Sequence, residues 1–299
     1  MNPKGWQQRI SVACGEDNRT HLVENYAEAP LRAFGPYSDP KGLKMRLVQI
    51  GEGILQGDHY RNTFTVGANA TLVIDTDSYT KIYKAPKRSS SQNMKFSIGP
   101  GGTLYYLPDP VIPFAGSDFT QRTTVELDEG SRAVLWDILT PGRLGSGECF
   151  QYKRFLSETR VISKELGDRF PLVWDRQCYE PTKADLNQPP FFGEFTHIGN
   201  LWIVAWGEST KDWPTTDWIK SVRLNLQERN IIPEPYLKPF EDEEENQKES
   251  IVALPKKRNF YGEISQLTCG VLVRVLGKSA EDIVNFFDQC VESLHRQGE

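Results

Sequence analysis

The sequence has few of the side chains that hold a metal ion tightly. Its 299 residues include four histidines and five cysteines, with no Cys-x-x-Cys pair and no His-Glu-x-x-His motif. We therefore expect no stable metal site and no permanently bound cofactor. The cysteines are odd in number and widely spread, which argues against a disulfide framework. We expect reduced thiols, most of them buried.

Long apolar runs and an excess of positive charge are also absent. No stretch approaches the roughly 18 apolar residues that cross a bilayer, and the N-terminal segment Met1–Arg9 lacks the apolar core of a signal peptide. The 35 Lys and Arg residues against 40 Asp and Glu residues give a net charge of −5. Such a chain has no general electrostatic reason to bind nucleic acid. We expect a cytoplasmic protein that binds neither nucleic acid nor membrane.

Common catalytic motifs are missing as well. Gly277-Lys278-Ser279 resembles the end of a phosphate-binding loop, but position 272, where the first glycine of that loop would stand, is leucine. No Gly-x-Ser-x-Gly nucleophile elbow occurs in the chain. We therefore expect no enzymatic activity.

The first half of the chain contains many short segments typical of β-strands. Clusters of Gly, Pro, Asn and Asp separate them, which is the pattern of a mainly antiparallel β architecture. Alternation of polar and apolar residues in the last but one segment predicts one water-facing side. The segments are Met45–Ile50, Thr71–Ile74, Thr80–Tyr83, Met94–Ile98, Thr103–Leu107, Thr120–Leu127 and Arg132–Ile138.

The second half has a different composition. Asn200–Trp206 is predicted to be a buried strand, and further tryptophans follow it. Apolar residues at helical spacing from Trp218 to Leu226 predict a helix, with Thr215 or Thr216 as its cap. The acidic segment 241–249 is interpreted as a solvated loop, or as a charged contact for a basic partner.

A second helix is predicted from Ala280 to about His295. Ser279 is placed to cap the Asp282 amide, and acidic residues in the first turn suit the positive end of the helix. Its apolar side should pack on the β core or on a partner. That side consists of Ile283, Phe286, Phe287, Cys290 and Leu294.

Several motifs of this chain resemble the urease accessory protein UreD family, called UreH in some bacteria. The proline-rich turns of residues 107–117, the glycine-dense bend Pro141–Glu148, the Thr80-Lys81-Ile82-Tyr83 segment, the Gly57–Tyr60 element and the strand-like Gly270–Gly277 carry the resemblance. The match is dense from about residue 51 to residue 160. The residues that fit the family pattern, and to which we assign structural roles, are Lys81, Tyr83, Pro108, Pro110, Pro113, Gly116, Gly142, Arg143 and Gly147.

The resemblance implies a fold and a function. The fold would be a single domain over residues 1–299, built of stacked or β-helix-like antiparallel sheets, with one or two helices near the C-terminus. The function would be that of a non-enzymatic scaffold, which joins a UreF-type accessory protein, a UreG-type GTPase and apo-urease. Nickel ions in transit would pass through a water-lined passage inside the protein. Such a passage must lower the desolvation cost of Ni²⁺ without holding the ion tightly.

Six residues are candidates for this nickel path, and each also has a structural interpretation. Asp58 and His59 directly follow a glycine, where an aspartate often stabilises a turn. Asp77 and Thr80 would be ordinary polar residues on a half-exposed sheet face. Asp137 interrupts an apolar run, so it is either paired or faces a wet channel.

Glu148 is the sixth candidate for the nickel path. It lies in the glycine-dense bend, either as a salt-bridge partner of Arg143 or as a residue of the path. Two other functions stay open. The chain is alternatively a β-helical carbohydrate-active hydrolase or lyase using Asp58, Asp77 or Glu148. In the third interpretation it is a pure interaction module, whose tryptophans and C-terminal helix form the interface.

Overall fold

A computed structural model describes residues 5–229 and 260–296, which form seventeen strands and two α-helices. The acidic segment 241–249 lies outside the described residues. The helices are α1 (Thr216–Arg229) and α2 (Ala280–Arg296). The strands are β1 (Gly5–Cys14), β2 (Thr20–Ala27), β3 (Leu31–Asp39), β4 (Gly42–Gln49), β5 (His59–Val66), β6 (Thr71–Thr76), β7 (Thr80–Ile82), β8 (Ser90–Ile98), β9 (Thr103–Leu107), β10 (Val111–Pro113), β11 (Asp118–Leu127), β12 (Arg132–Leu139), β13 (Arg154–Ser163), β14 (Val173–Tyr179), β15 (His197–Ala205), β16 (Phe260–Leu267) and β17 (Gly270–Gly277).

Two sheets form the body of the protein. The seven-stranded sheet has the order β14-β13-β11-β8-β5-β1-β2. The ten-stranded sheet has the order β16-β17-β15-β12-β9-β6-β4-β3, with β10 and β7 paired beside β12. From β4 to β13 the chain passes back and forth between the sheets, and each pass adds one strand beside its predecessor. The sheets are therefore stacked as successive coils of a β-solenoid.

The mainly β, stacked architecture is confirmed, but the predicted antiparallel pairing is wrong for the centre of both sheets. Strands β1, β5, β8, β11 and β13 pair in parallel, as do β4, β6, β9 and β12. Antiparallel pairs lie toward the sheet ends, as in β1–β2, β13–β14 and β16–β17. In a solenoid the chain returns to a sheet in the same direction after visiting the other sheet. The pairing therefore follows the coil and not the hairpins that short turns suggest.

Both helices contact the ten-stranded sheet. The apolar side of α2 packs on β12, β15 and β17, where the Phe287 ring lies 5.9 Å from the Trp136 ring. Ser279 Oγ accepts a hydrogen bond from the Asp282 amide, which confirms the predicted cap. The residues of the predicted apolar side are all buried, at 0–4% exposure. Packing on the β core is thereby confirmed for α2.

Helix α1 is capped by Thr215, whose Oγ1 accepts from the Trp218 amide at 3.3 Å. The Trp218 indole is buried and donates to Ser293 Oγ of α2 at 2.9 Å. Trp202 is equally buried between the sheets. A partner interface made by these two tryptophans is therefore wrong, because the chain itself encloses both side chains.

The five cysteines are free thiols. The prediction that most are buried is wrong: Cys269 and Cys290 are buried, Cys14 and Cys149 are half-buried, and Cys178 is exposed. Cys178 lies on an outward-facing position of the edge strand β14, next to the half-buried Tyr179. Strand alternation therefore decides its exposure, and sequence composition alone does not.

Candidate functional site

The space between the two sheets is apolar at both ends and polar across the middle. Phe64 and Phe96 belong to one apolar cluster, and Phe119 and Phe155 belong to another. Between these clusters the inward-facing positions carry amides, hydroxyls and charged groups, a set that we call the polar layer. On the seven-stranded sheet it comprises Gln8, Asn62, Gln92, Gln121, Thr123, Ser157, Thr159, Asp175 and Gln177, and on the ten-stranded sheet Asp137, Asn200 and Arg274.

Strand register aligns the polar layer over four strands of the seven-stranded sheet. Gln92 pairs with Gln121, Gln121 with Ser157, and Ser157 with Gln177, on four successive strands. On the other sheet, Asp137 pairs with Asn200, which pairs with Arg274. Neighbouring strands lie about 4.8 Å apart, so polar side chains on adjacent strands are close enough to form hydrogen bonds. The result is a polar track over these strands; on the next strand Gln92 pairs with Tyr60, and Asn62 pairs with Met94.

A hydrogen-bond network connects the two sheets around Asp137. Ser157 Oγ donates to Asp137 Oδ2 at 3.0 Å, and Asn200 Nδ2 donates to Asp137 Oδ1 at 2.7 Å. Arg274 donates from Nε to Asn200 Oδ1 at 2.6 Å and from Nη2 to Asp175 Oδ2 at 2.7 Å. Burial raises the pKa of Asp137 to about 6, and the two donated hydrogen bonds oppose that rise only in part.

A cavity of about 100 Å³ lies beyond Gln92, at the other end of the polar track. Gln8 and Asn62 line it, and the Gln8 Nε2 and Asn62 Oδ1 atoms are buried without a hydrogen-bond partner within the described part of the chain. An unpaired buried polar atom costs about 1–3 kcal/mol, and water removes that cost where a polar cavity has room for it. About 10–15 Å³ accommodates one water by this measure, so the cavity can hold several.

The track also reaches a second cavity, at the opposite edge of the sheets. That cavity has a volume of about 360 Å³ and is lined by Arg274, Tyr179, Phe191 and Tyr261 among others. Arg274 contacts both this cavity and Asn200 of the polar layer. The polar layer thus extends from one cavity between the sheets to another.

Three of the six candidate residues lie along this track. Asp77 and Thr80 line the first cavity, and Asp137 is central to the network. The contacts confirm that Asp137 is paired, and a wet channel beside it stays a prediction. Its assignment to a nickel path stays a prediction, as do those of Asp77 and Thr80.

The other three candidates have separate partners. Asp58 Oδ2 accepts from the Leu55 amide and from the Tyr60 hydroxyl, both at 2.9 Å, which stabilises the turn before β5. His59 Nδ1 lies 2.7 Å from Ser91 Oγ. For Asp58 and His59 the nickel-path assignment also stays a prediction.

Glu148 belongs to a cluster of family-pattern residues at the surface. It pairs with Arg143, whose guanidinium lies over the Phe114 ring at 4.2 Å, and it accepts from the Ala115 amide at 3.1 Å. The Phe114 ring in turn packs against Tyr83, with 4.8 Å between ring centroids. Pairing with Arg143 lowers the pKa of Glu148. The structural interpretation of Glu148 accounts for these contacts, and its role in a nickel path stays a prediction.

Sequence reasoning missed most of the polar layer. Gln121 is the clearest case: we expected it on the water-facing side of its strand, but it is 9% exposed and faces the interior. A signal was available in two strands that pair in register. Phe119-x-Gln121-x-Thr123-x-Val125 and Phe155-x-Ser157-x-Thr159-x-Val161 share the same inward pattern of aromatic, polar, polar and aliphatic residues.

Two further observations concern the described residues as a whole. Across residues 5–229 and 260–296, no three His, Cys, Asp or Glu side chains converge as a metal-binding group. Neither helix in those ranges is long and apolar enough to cross a membrane.

Comparison with known proteins gives the family. A family model described as "UreD urease accessory protein" matches residues 7–298. The urease accessory protein UreD of Bacillus cereus (strain ATCC 10987 / NRS 248) is 26% identical over 276 residues, covering 91% of this chain and 87% of the relative. UreD of Haloarcula marismortui is 32% identical over 189 residues (62% of each protein), and UreH of Helicobacter pylori (strain P12) is 26% identical over 197 residues (66% of this chain and 73% of the relative). Since the family model spans nearly the whole chain, the protein belongs to the UreD urease accessory protein family.

Proposed function

We propose that this protein acts in urease maturation by passing Ni²⁺ along the polar layer to apo-urease. In this proposal the protein has no catalytic activity of its own, and nickel is cargo in transit. A UreF-type accessory protein and a UreG-type GTPase hold it in a complex with apo-urease. That complex works in the cytoplasm, where the five free thiols would remain reduced. Family membership supports the role in urease maturation.

The polar layer is the observation that carries the nickel-transfer proposal. A divalent ion cannot cross a dry hydrocarbon interior, because the cost of removing its water is too large. Amide and hydroxyl oxygens of Asn62, Gln121 and Ser157, together with water, replace part of that hydration. Such neutral oxygen ligands bind Ni²⁺ more weakly than imidazole or thiolate groups, so they allow the ion to leave each position.

Asp137 supplies a negative charge in the middle of this neutral track. With its pKa near 6, it is ionised at neutral pH and can still accept a proton at modest cost. Ser157 and Asn200 hold the carboxylate from two sides, so its position in the track is defined. Arg274 balances Asp175 beyond it and limits the net negative charge. A single carboxylate of this kind attracts a cation without forming a stable metal site.

The contacts of the other carboxylates do not favour the hydrolase or lyase alternative. Asp58 is held by a turn amide and Tyr60, and Glu148 by Arg143 and a backbone amide. Asp77 lies at the first cavity. These three carboxylates have different neighbours and form no acid–base pair with one another among the described contacts.

The test compares hydroxyl removal inside and outside the polar layer. Thr123→Val with Thr159→Val removes two inward hydroxyls, and Thr124→Val with Thr63→Val removes two outward ones from the same sheet. The inward double variant should stabilise the passing ion by about 1–1.5 kcal/mol less than the wild type does. We therefore expect it to load nickel into urease about tenfold more slowly. We expect the outward pair to load nickel at the wild-type rate. The measurement is nickel per urease over time, with complex formation checked by co-purification.

Equal loading by both double variants, in intact complexes, would show that the ion takes another route. Loss of the complex itself in the inward variant would indicate a docking defect instead. In that case Asp137→Asn, which keeps the shape of the side chain, separates passage from docking: wild-type loading by this variant would contradict the proposal.

A further inference from the structure

The outer face of the seven-stranded sheet carries an ordered set of cations. Both described helices contact the ten-stranded sheet. On the seven-stranded sheet, outward positions such as Arg61, Asn93 and Arg122 are exposed. Six neighbouring strands each present one cation in the two central rows of the face. We call these residues the cation ladder: Arg9 of β1, Arg61 of β5, Lys95 of β8, Arg122 of β11, Arg160 of β13 and Arg176 of β14.

Strand register places these cations alternately in two rows. The first row runs Gln7, Arg61, Asn93, Arg122, Glu158 and Arg176. The second row runs Arg9, Thr63, Lys95, Thr124, Arg160 and Trp174. One cation therefore occurs about every 4.8 Å across the strands, first in one row and then in the other. The ladder spans about 24 Å, and its rows lie about 6.6 Å apart.

The charge of the ladder is only partly compensated. Glu158 is the single carboxylate within the two rows, and it lies 3.9 Å from Arg176. Arg9 and Lys95 pair with Glu24 and Glu126 at the side of the rows. Exposed pairs of this kind contribute about 0.2–1 kcal/mol, so they exchange readily for other partners.

Two of the six ladder cations lack such a partner. Arg160 is 3.5 Å from the exposed Asp168, so it is paired like Arg9, Lys95 and Arg176. Arg61 and Arg122 make no ion pair with any residue in the described ranges. This face therefore carries six aligned cations, two of them without an ion pair in the described ranges, on a protein with a net charge of −5.

We propose that the cation ladder is the docking site for an acidic α-helix of a partner protein. Carboxylates at positions i, i+3, i+7 and i+10 of a helix recur about every 5 Å along its axis, alternately left and right of a seam. That spacing is close to the ladder repeat of about 4.8 Å. An extended strand would present same-side charges about every 6.6 Å and would lose register within a few residues. A helix of about 16 residues covers the ladder.

This surface is separate from the polar layer. The ladder residues face outward from strands whose alternate residues face the interior, so docking here leaves the proposed ion passage unobstructed. Docking at this face does not depend on nickel transfer, so it can be measured without nickel.

The test uses a fluorescent, helix-forming peptide of about 20 residues, with glutamates in the striped pattern described above. The matched control peptide has the same composition, but its glutamates are spread around the helix. Binding of both to the full-length protein is measured by fluorescence anisotropy. We expect the striped peptide to bind about tenfold more tightly at low salt, and its affinity to fall as ionic strength rises.

Charge reversal locates the binding face. The double variant Arg61→Glu with Arg122→Glu should bind the striped peptide at least about tenfold more weakly than the wild type does. The control double variant, Arg19→Glu with Arg223→Glu, has the same charge change elsewhere on the protein. It should bind the peptide as the wild type does. Circular dichroism and thermal melting confirm that each variant is folded. Equal binding of striped and spread peptides, or equal loss in both double variants, would overturn the proposal. The proposal would also be overturned if single-stranded DNA with the same number of charges bound more tightly than the striped peptide, since the face would then be a general polyanion site.

Discussion

On the outer face of the ten-stranded sheet, Trp136, Leu201 and Val273 belong to the apolar cluster that includes Phe287 of α2. On the outer face of the seven-stranded sheet, Thr63 and Thr124 are part-exposed between the charged residues of the cation ladder. Parallel sheets usually have both faces covered, because their strands are apolar on both sides. Here only the ten-stranded sheet follows that rule.

The composition of a strand decides whether its outer face requires a covering helix. Every residue of β15 is buried, so this strand needs partners on both faces. Strand β11 alternates instead, and its outward positions carry Arg, Thr and Glu that water or a charged partner can satisfy. The two sheets share the polar layer between them but differ in what they require outside it.

The largest expected effect lies on the covered face. Phe287 is 0% exposed and packs between α2 and β12, so Phe287→Ala leaves a cavity. We expect the free energy of unfolding to fall by about 3–5 kcal/mol. Phe34→Ala is the control, because that side chain is 49% exposed on β3. Chemical denaturation measures both, and similar losses in the two variants would contradict the assigned packing.

An intermediate effect is expected in the shared interior, and it depends on pH. The pKa of folded Asp137 is about 6, above the usual value of an aspartate, so the fold prefers its protonated form. Stability from this group is therefore greatest below about pH 4, falls as pH rises toward 6, and is constant above. In the Asp137→Asn variant the side chain cannot ionise, and its amide oxygen can still accept a hydrogen bond from Asn200.

The variant should gain stability relative to the wild type between pH 4 and pH 7, by up to about 3 kcal/mol at 1.4 kcal/mol per pKa unit. Urea denaturation at several pH values measures this difference. Parallel pH profiles for the two proteins would show that Asp137 is less buried than its contacts indicate.

The smallest effect is expected on the open face. Lys95 Nζ lies 2.8 Å from Glu126 Oε1, and the lysine side chain is 52% exposed. Lys95→Ala should cost about 0.2–1 kcal/mol at low salt and almost nothing at high salt, where exposed charges are screened. A double-mutant cycle with Glu126→Ala isolates the pair. A coupling well above this range, or one insensitive to salt, would mean that the face is less open to solvent than its exposures indicate.

Much of the secondary structure was readable from the sequence. Each predicted strand overlaps an observed one, and α2 begins at the predicted Ala280 and ends one residue after the predicted end, at Arg296. Strands such as β5 and β13 were missed, because Asn62, Ser157 and Thr159 interrupt the apolar alternation that identifies a half-buried strand. The residues that hid these strands are those that form the polar layer.

The candidate site was only partly readable. Asp137 stood out because a carboxylate within an apolar run must be paired or wet. Its partners Ser157 and Asn200 are 20 and 63 residues away in sequence, and no local pattern connects them. Arg274 and Asp175, 99 residues apart, form an ion pair that only the fold reveals.

Local patterns of turns, apolar spacing and motifs were enough to predict the mainly β composition, the two helices with their caps, and the family resemblance. The parallel pairing of the central strands, the inward position of Gln121 and the two rows of cations on one face could be seen only in the folded protein. Those features depend on how the chain coils between two sheets. Strand register then aligns residues that are far apart in sequence, and pairing at about 4.8 Å per strand brings isolated polar residues together in one layer.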